Sequence, residues 1–422
     1  MVLPRSLRFA VALLSCAAAQ IKPSPAPPRP AGQEAETFNL FWPGETDAVT
    51  NATYGCTYMG LVALVRRRLV ALGSCSTDPA ACNGYHVAGP SPRAAAAGYA
   101  RHGTCLKTSD DSGQTWTQIR MVLPQIGMGA LVWDNYTAEL LLHYTNLTTS
   151  AILQVKSRDA GLTWSPPLNL SAMLAPDFAP SSGAKTVLLT VGPGAGLQLS
   201  GANRFHPGRL LFAGHHGAYE YDVVYFSDDH GETWQFARNE SGRSAWLLGL
   251  DEPALAETPA GGVILRARNQ RFHGAGKCNC RGTAESTDGG DHFFGGVSFD
   301  AALPEPICQG SMLNDLPSGK IFSAMPGFGT EKEQKDALQG RGNGVVRWSV
   351  DGGKTWPAAM RLWQGHAFSY SCLTRLPLNG FIGLSWETVL PDSSSLDPKI
   401  SANNILFSRI PTNFTSQDII FV

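Results

Sequence analysis

The pattern Ser-X-Asp-X-Gly-X-Thr-Trp recurs along this chain, and it limits the fold more than any other feature. It is nearly intact four times, beginning at Ser109, Ser157, Ser227 and Ser349 and ending at Trp116, Trp164, Trp234 and Trp356. A degraded copy reads Ser286-X-Asp288-X-Gly290, with His292-Phe293 in place of Thr-Trp. The five starts stand on average 60 residues apart. Four eight-residue matches do not arise by chance, so the chain is built from repeated units.

The physics of each copy is that of a hairpin turn. A short β-type run precedes it, as in Val223-Val224-Tyr225-Phe226 or Val345-Val346-Arg347-Trp348. The Asp accepts hydrogen bonds from turn N–H groups. The Gly supplies a positive φ, and the Trp leaves the turn to pack into the sheet. The repeated Asp residues are therefore read as structural, neither catalytic nor calcium-binding. Gly 45 and Pro 28 among 422 residues make the chain turn-rich, which favours many short strands. A unit of about 60 residues suits a four-stranded propeller blade, and roughly six such units fit the chain. The expected fold is all-β, a six-bladed β-propeller over residues 37–422, a single domain because a ring of blades has no separable cores.

The N-terminus reads differently. Arg5 and Arg8, an apolar run from Phe9 to Cys16 and Ala17-Ala18-Ala19 have the form of a secretory signal over residues 1–19. A Pro-rich linker follows over residues 20–36. No later window is apolar enough to cross a membrane. Outside the signal remain Cys56, Cys75, Cys82, Cys105, Cys278, Cys280, Cys308 and Cys372. This even set suggests disulfides, with the pairing left open. Cys278-Asn279-Cys280 lacks the second pair that a zinc clip needs, and neither a metal nor a cofactor is implied. Six Asn-X-Ser/Thr sequons, at Asn51, Asn135, Asn146, Asn169, Asn239 and Asn413, fit a glycosylated surface in the secretory pathway, extracellular or lysosomal. Net charge is −1, with Lys+Arg 33 against Asp+Glu 34, so there is no global field to hold nucleic acid. An anionic ligand needs a local cation cluster.

The repeat resembles the Asp-box of sialidases. The resemblance extends over most of residues 54–390 and is to the animal type. It is carried by Val191-Gly192-Pro193-Gly194 with Leu197-Gln198-Leu199, by Gly208-Arg209-Leu210-Leu211 followed by Tyr225-Phe226-Ser227, and by Cys308-Gln309-Gly310-Ser311. It implies an exo-α-sialidase acting on sialylated glycans. Such chemistry has stated needs. Sialic acid bears a carboxylate on its anomeric carbon, and guanidinium groups bind carboxylates in a bidentate way. A carboxylate nucleophile would be repelled by that charge, and a tyrosine activated by a glutamate avoids the repulsion. A second carboxyl must protonate the leaving oxygen.

The resemblance assigns roles residue by residue. Tyr370, in Phe368-Ser369-Tyr370-Ser371-Cys372-Leu373, matches the nucleophile segment. Glu252, in Asp251-Glu252-Pro253-Ala254-Leu255-Ala256-Glu257, matches its paired base. Arg281, five residues before Ser286, and Arg341, eight before Ser349, match two arginines of the carboxylate-binding triad. Glu387, in Gly383-Leu384-Ser385-Trp386-Glu387, matches the glutamate that steadies the first triad arginine. That first arginine has no counterpart: the family's Tyr-Arg-Ile-Pro or Phe-Arg-Ile-Pro region here reads Tyr54-Gly55-Cys56-Thr57-Tyr58-Met59-Gly60-Leu61. Arg66, Arg67 and Arg68 lie where a hairpin turn would expose them. The acid/base position falls on Asp78, the nearest carboxylate before the first box. Two readings follow: a retaining sialidase with a modified carboxylate site, or a glycan-binding propeller of sialidase descent that cleaves slowly or not at all.

Overall fold

The repeated turns close meandering hairpins, and six such meanders make a ring. The structure, a computed structural model, describes residues 35–78, 102–124, 129–146, 149, 151–174, 189–216, 221–245, 247–272, 278–327, 341–362, 367–389 and 403–413. The expected signal segment and nearly all of the Pro-rich linker lie outside these residues. Strand β1 (Glu36–Phe41) opens the described chain. Blade 1 comprises β2 (Cys56–Val65), β3 (Arg68–Ser76), β4 (His102–Ser109) and β5 (Arg120–Pro124). Blade 2 comprises β6 (Gly129–Asp134), β7 (Glu139–Asn146), β8 (Ala151–Ser157) and β9 (Leu168–Asn169).

Blade 3 is the most elaborate. It takes β10 (Leu189–Val191), β12 (Leu197–Gln198), β13 (Leu210–His216), β14 (Tyr221–Ser227), β15 (Gln235–Phe236) and β16 (Leu247–Leu248), while β11 (Gly194–Ala195) joins blade 2 by pairing parallel to β6. Blade 4 is β17 (Asp251–Glu257), β18 (Val263–Arg268), β19 (Cys280–Ser286) and β20 (Phe294–Pro304). Blade 5 is β21 (Ser311–Asp315), β22 (Lys320–Gly327), β23 (Gly342–Ser349) and β24 (Ala358–Arg361). Blade 6 is β25 (Ser371–Arg375), β26 (Phe381–Val389) and β27 (Asn403–Pro411), completed by β1, so the chain's two ends close the ring in one sheet. The fold is the expected six-bladed β-propeller. Helix is confined, among the described residues, to the single turn Ser171–Leu174.

The core is six apolar slabs, one between each adjacent pair of blades. Leu141, Phe212, Tyr225 and Trp234 fill the joint of blades 2 and 3, for example, and Leu255, Leu265, Leu211 and Phe226 that of blades 3 and 4. The boxes reinforce these joints. In the first, the Ser109 hydroxyl donates to Asp111 (2.8 Å) and accepts from the Gly113 N–H (2.8 Å), while Asp111 also accepts the Thr115 hydroxyl (2.6 Å). The degraded copy keeps the same turn: His292 Nδ1 lies 2.8 Å from Asp288 and replaces the missing threonine. Every box Asp is occupied by its own turn, as the structural reading requires.

The box glycines do more than bend the chain. At Gly231 (φ +85°) a Cβ would stand 2.7 Å from Leu141 of blade 2, and at Gly290 (φ +92°) 2.5 Å from Leu211 of blade 3. Each turn therefore packs backbone-close against the blade before it.

Two expectations about cysteine are refined. Cys75–Cys105 and Cys278–Cys280 are disulfides. Cys56 is also disulfide-bonded. The even count does not mean complete pairing: Cys308 and Cys372 are buried free thiols. Cys308 lies beside Ser369, and Cys372 lies against the Val62 carbonyl. None of the six sequon asparagines is buried. Among the described residues no helix is long and apolar enough to cross a membrane.

Candidate active site

Each blade is an antiparallel meander that begins at the ring axis. The starts of its first and third strands and the end of its second therefore share one face. The boxes follow the third strands and mark the opposite face. The six candidate residues share the first face: Asp78 just past β3, Glu252 in β17, Arg281 in β19, Arg341 just before β23, Tyr370 just before β25 and Glu387 near the end of β26; Met59, near the start of β2, and Arg268, ending β18, lie there too.

On that face the strands depart from regular pairing. β17 shifts register between Asp251 and Ala254, and Glu252 there adopts φ +50°. The bulge turns the Glu252 side chain out of the sheet's alternation, a recurrent way of aiming a functional group. β2 does the same between Tyr58 and Leu61, with Met59 at φ +53°. Non-glycine residues in the left-handed region are strained by about 1–3 kcal/mol, and such strain gathers at functional sites.

The Tyr370 hydroxyl donates to Glu252 Oε1 across 118 residues of sequence. The second carboxylate oxygen, Oε2, receives Arg268 Nη1 at 2.9 Å. Burial raises the Glu252 carboxyl, but Arg268, the phenol and His215 outweigh it and leave it below the usual carboxylate range. The phenol is pushed the other way, well above its ordinary value, by burial first and by the Glu252 charge next. At rest the proton sits on tyrosine and the charge on glutamate. That is the arrangement of a masked nucleophile beside its base.

Guanidinium groups surround this pair. Arg341 lies 5.9 Å from the Tyr370 ring centre and donates to the Ile307 carbonyl (2.7 Å). Arg281 donates to Glu305 (2.8 Å) and to the adjacent Cys308 carbonyl (2.9 Å). Both arginines thus grip the same Glu305–Cys308 segment. Arg281 is sealed beneath it at 1% exposure, with Nε and Nη2 unpartnered among the described residues. Arg281 is turned toward Glu305 and Cys308, whereas Arg268, on the Glu252 carboxylate, stands nearer the reacting pair. Arg268 is the residue that reading the sequence missed. A signal for it exists: counting outward from the Gly261-Gly262 turn, the pairs Glu257–Val263 and Ala254–Arg266 lead to Arg268, which the bulge sets opposite Asp251, next to Glu252.

Glu387 brackets the nucleophile from β26. Its N–H donates to the Tyr370 carbonyl (2.9 Å), and its own carbonyl accepts from Ser369 (3.1 Å). Its carboxylate takes the Met59 backbone N–H where the resemblance expects an arginine. Burial pushes this carboxyl up to about 7, the Met59 N–H and Arg341 offsetting only part of the rise. Arg66 and Arg67 form the β2–β3 turn at the box face, and Arg68 pairs with Asp110 there, far along the strands from Met59. Asp78 lies on the site face, half-buried, and opens the segment 79–101, which is outside the described residues.

Comparisons with known proteins bear on the sequence and the fold. A sialidase of Micromonospora viridifaciens is 33% identical over 238 residues, 55% of this chain and 32% of its own length. The chain is similar in sequence to sialidases. A sialidase of Bacteroides fragilis is 26% identical over 252 residues, 57% of this chain and 40% of that protein. An exo-alpha-sialidase of Aspergillus fumigatus is 32% identical over 171 residues, 40% of this chain and 34% of that one. The chain thus spans only about a third to two fifths of the curated relatives it matches. Among solved structures, the intramolecular trans-sialidase of Ruminococcus gnavus superposes with a TM-score of 0.63 at 17% identity, covering 91% of this chain and 98% of that one. Trypanosoma rangeli sialidase gives 0.59 at 16%, covering 89% and 59%. At these identities the structures attest the shared propeller. No family model matches the chain.

Proposed function

We propose that this protein is a retaining exo-α-sialidase that releases terminal sialic acid from glycoproteins, glycolipids or oligosaccharides within the secretory pathway. The observation that carries the reading is the Tyr370 phenol on the anionic Glu252, with Arg268 and Arg341 alongside. In this reading Arg268 and Arg341 hold the substrate carboxylate, and Arg281 steadies the segment between them. Tyr370 Oη attacks the anomeric carbon while Glu252 takes the phenol proton. Asp78 gives its proton to the departing oxygen as the glycosidic bond breaks. Water then attacks the sugar–tyrosine bond, Asp78 takes the water's proton, and the phenolate recovers its own from Glu252.

Met59 supports a second reading, a glycan-binding propeller with little or no turnover. An absent charged contact to a carboxylate lowers affinity by about 1.5–3 kcal/mol. A fluorogenic α-sialoside separates the two. Turnover by the natural chain that vanishes in Tyr370→Phe supports the enzyme; saturable binding without turnover supports the second reading; no binding of any sialoside rejects both.

A further inference from the structure

Behind Glu252, at the joint of blades 3 and 4, lies a cluster of acids that the mechanism above does not use. Asp222 in β14 and Asp251 in β17 are both fully buried, and Glu252 is 4% exposed. Asp222 has no hydrogen-bond partner for either oxygen among the described residues. An ionised carboxylate in that position would be prohibitively costly, so it is held protonated. Its cross-strand neighbour is His215 in β13, whose Nδ1 lies 3.1 Å from Asp251 Oδ1. Asp251 in turn faces Arg268, with Nε 3.7 Å from Oδ2.

One guanidinium thus confronts two adjacent carboxyls. Glu252 has the closer contact, at 2.9 Å, and the phenol hydrogen bond as well. Of the remaining charges, His215 stands 3.1 Å from Asp251 but also lowers the Glu252 carboxyl, Glu305 adds a negative charge, and Arg281 is engaged with it. Arg341 lies 5.9 Å from the Tyr370 ring centre, and the Cys308 thiol lies beside Ser369.

We propose that Asp251, with His215 and Asp222 behind it, is a positioning group that holds a proton at this joint and so keeps Glu252 an anion ready to accept from Tyr370. The kinetic consequence rests on the sialidase reading; the structural consequence does not. Burial, and after it the Glu252 charge, push Asp251 up to about 8. Above that pH a second anion forms beside Glu252, competes for Arg268 and repels an anionic substrate.

Two measurements test this. First, kcat/KM for a fluorogenic α-sialoside should fall on the alkaline side, by about tenfold one unit above the controlling pKa. Asp251→Asn should move that limb upward by a unit or more, and Asp251→Glu should keep it. An alkaline limb unmoved in Asp251→Asn overturns the proposal. The second measurement needs no substrate, so it stands even where no sialoside is cleaved. The folded state binds a proton at Asp251 that the unfolded chain has lost above about pH 4, so stability falls as pH climbs from there towards 8. The decline of the melting midpoint over that window should be shallower in Asp251→Asn, and in Asp222→Asn should the first variant not fold. Identical slopes in natural and variant chains overturn the proposal.

Discussion

The two faces of the ring solve opposite problems with the same strands. On the box face five turns repeat one hydrogen-bond pattern, each seated against the preceding blade, and their Asp side chains are satisfied within the turn. On the other face the blades present different side chains. Blades 1 and 4 both bulge their first strand and place a left-handed residue at the mouth, yet one presents Met59 and the other Glu252. Regularity at one end secures the blade joints, which lets the other end carry strain, buried charge and unmatched donors. Local rules hold where the chain builds scaffold and fail where it builds a site.

The sharpest way to break this division is to unpair Glu252. Arg268→Ala strands a buried carboxylate, which costs about 3–5 kcal/mol where the group stays charged. We expect turnover to be lost and Glu252 to titrate upward; near-natural kcat/KM in this variant would remove Arg268 from the site. Glu252→Gln should lower kcat by about 10²–10⁴ with little change in melting, because the amide keeps the shape while losing the base.

Changes at the box face should do the reverse. Gly231→Ala places a Cβ 2.7 Å from Leu141 at a φ of +85°, and should cost about 1–3 kcal/mol of stability. The melting midpoint should drop while kcat/KM of the folded fraction stays. A matching loss of specific activity would show that the faces are coupled.

Smaller effects sharpen the contrast between blades 1 and 4. Met59→Arg supplies a cation to Glu387, whose carboxyl is otherwise raised by burial to about 7. A carboxylate-bearing sugar should then bind more tightly, by about 1.5 kcal/mol or more, in calorimetric titration. Unchanged affinity would mean the substrate carboxylate does not reach blade 1. Arg68→Ala breaks only an exposed pair with Asp110, so its effect on stability should stay within about 1 kcal/mol and activity should not change.

How much was legible follows the same division. The repeat announced blades, turns and the structural role of the box Asp, because a hairpin's chemistry is local. Tyr370, Glu252, Arg341 and Glu387 came from resemblance; no local pattern joins residues 118 positions apart. Arg268 was passed over because Arg266-Ala267-Arg268 alternates like any strand, and only the bulge at Glu252 gives its last member a partner. Arg281 was placed by its offset from a box, a distance along the chain that says nothing of its partners, Glu305 and the Cys308 carbonyl. The Asp251–Asp222–His215 cluster needed three strands from two blades in register before its charges could be counted.

The central claim is that Tyr370 is a nucleophile that Glu252 unmasks. Its most direct test is the mass of the protein after incubation with 2,3-difluorosialic acid, a compound whose covalent intermediate is described for Trypanosoma rangeli sialidase. The account predicts one added sugar, mapped to Tyr370 and absent from Tyr370→Phe. A sugar found on another residue, or an unmodified chain that still hydrolyses sialosides, would contradict it.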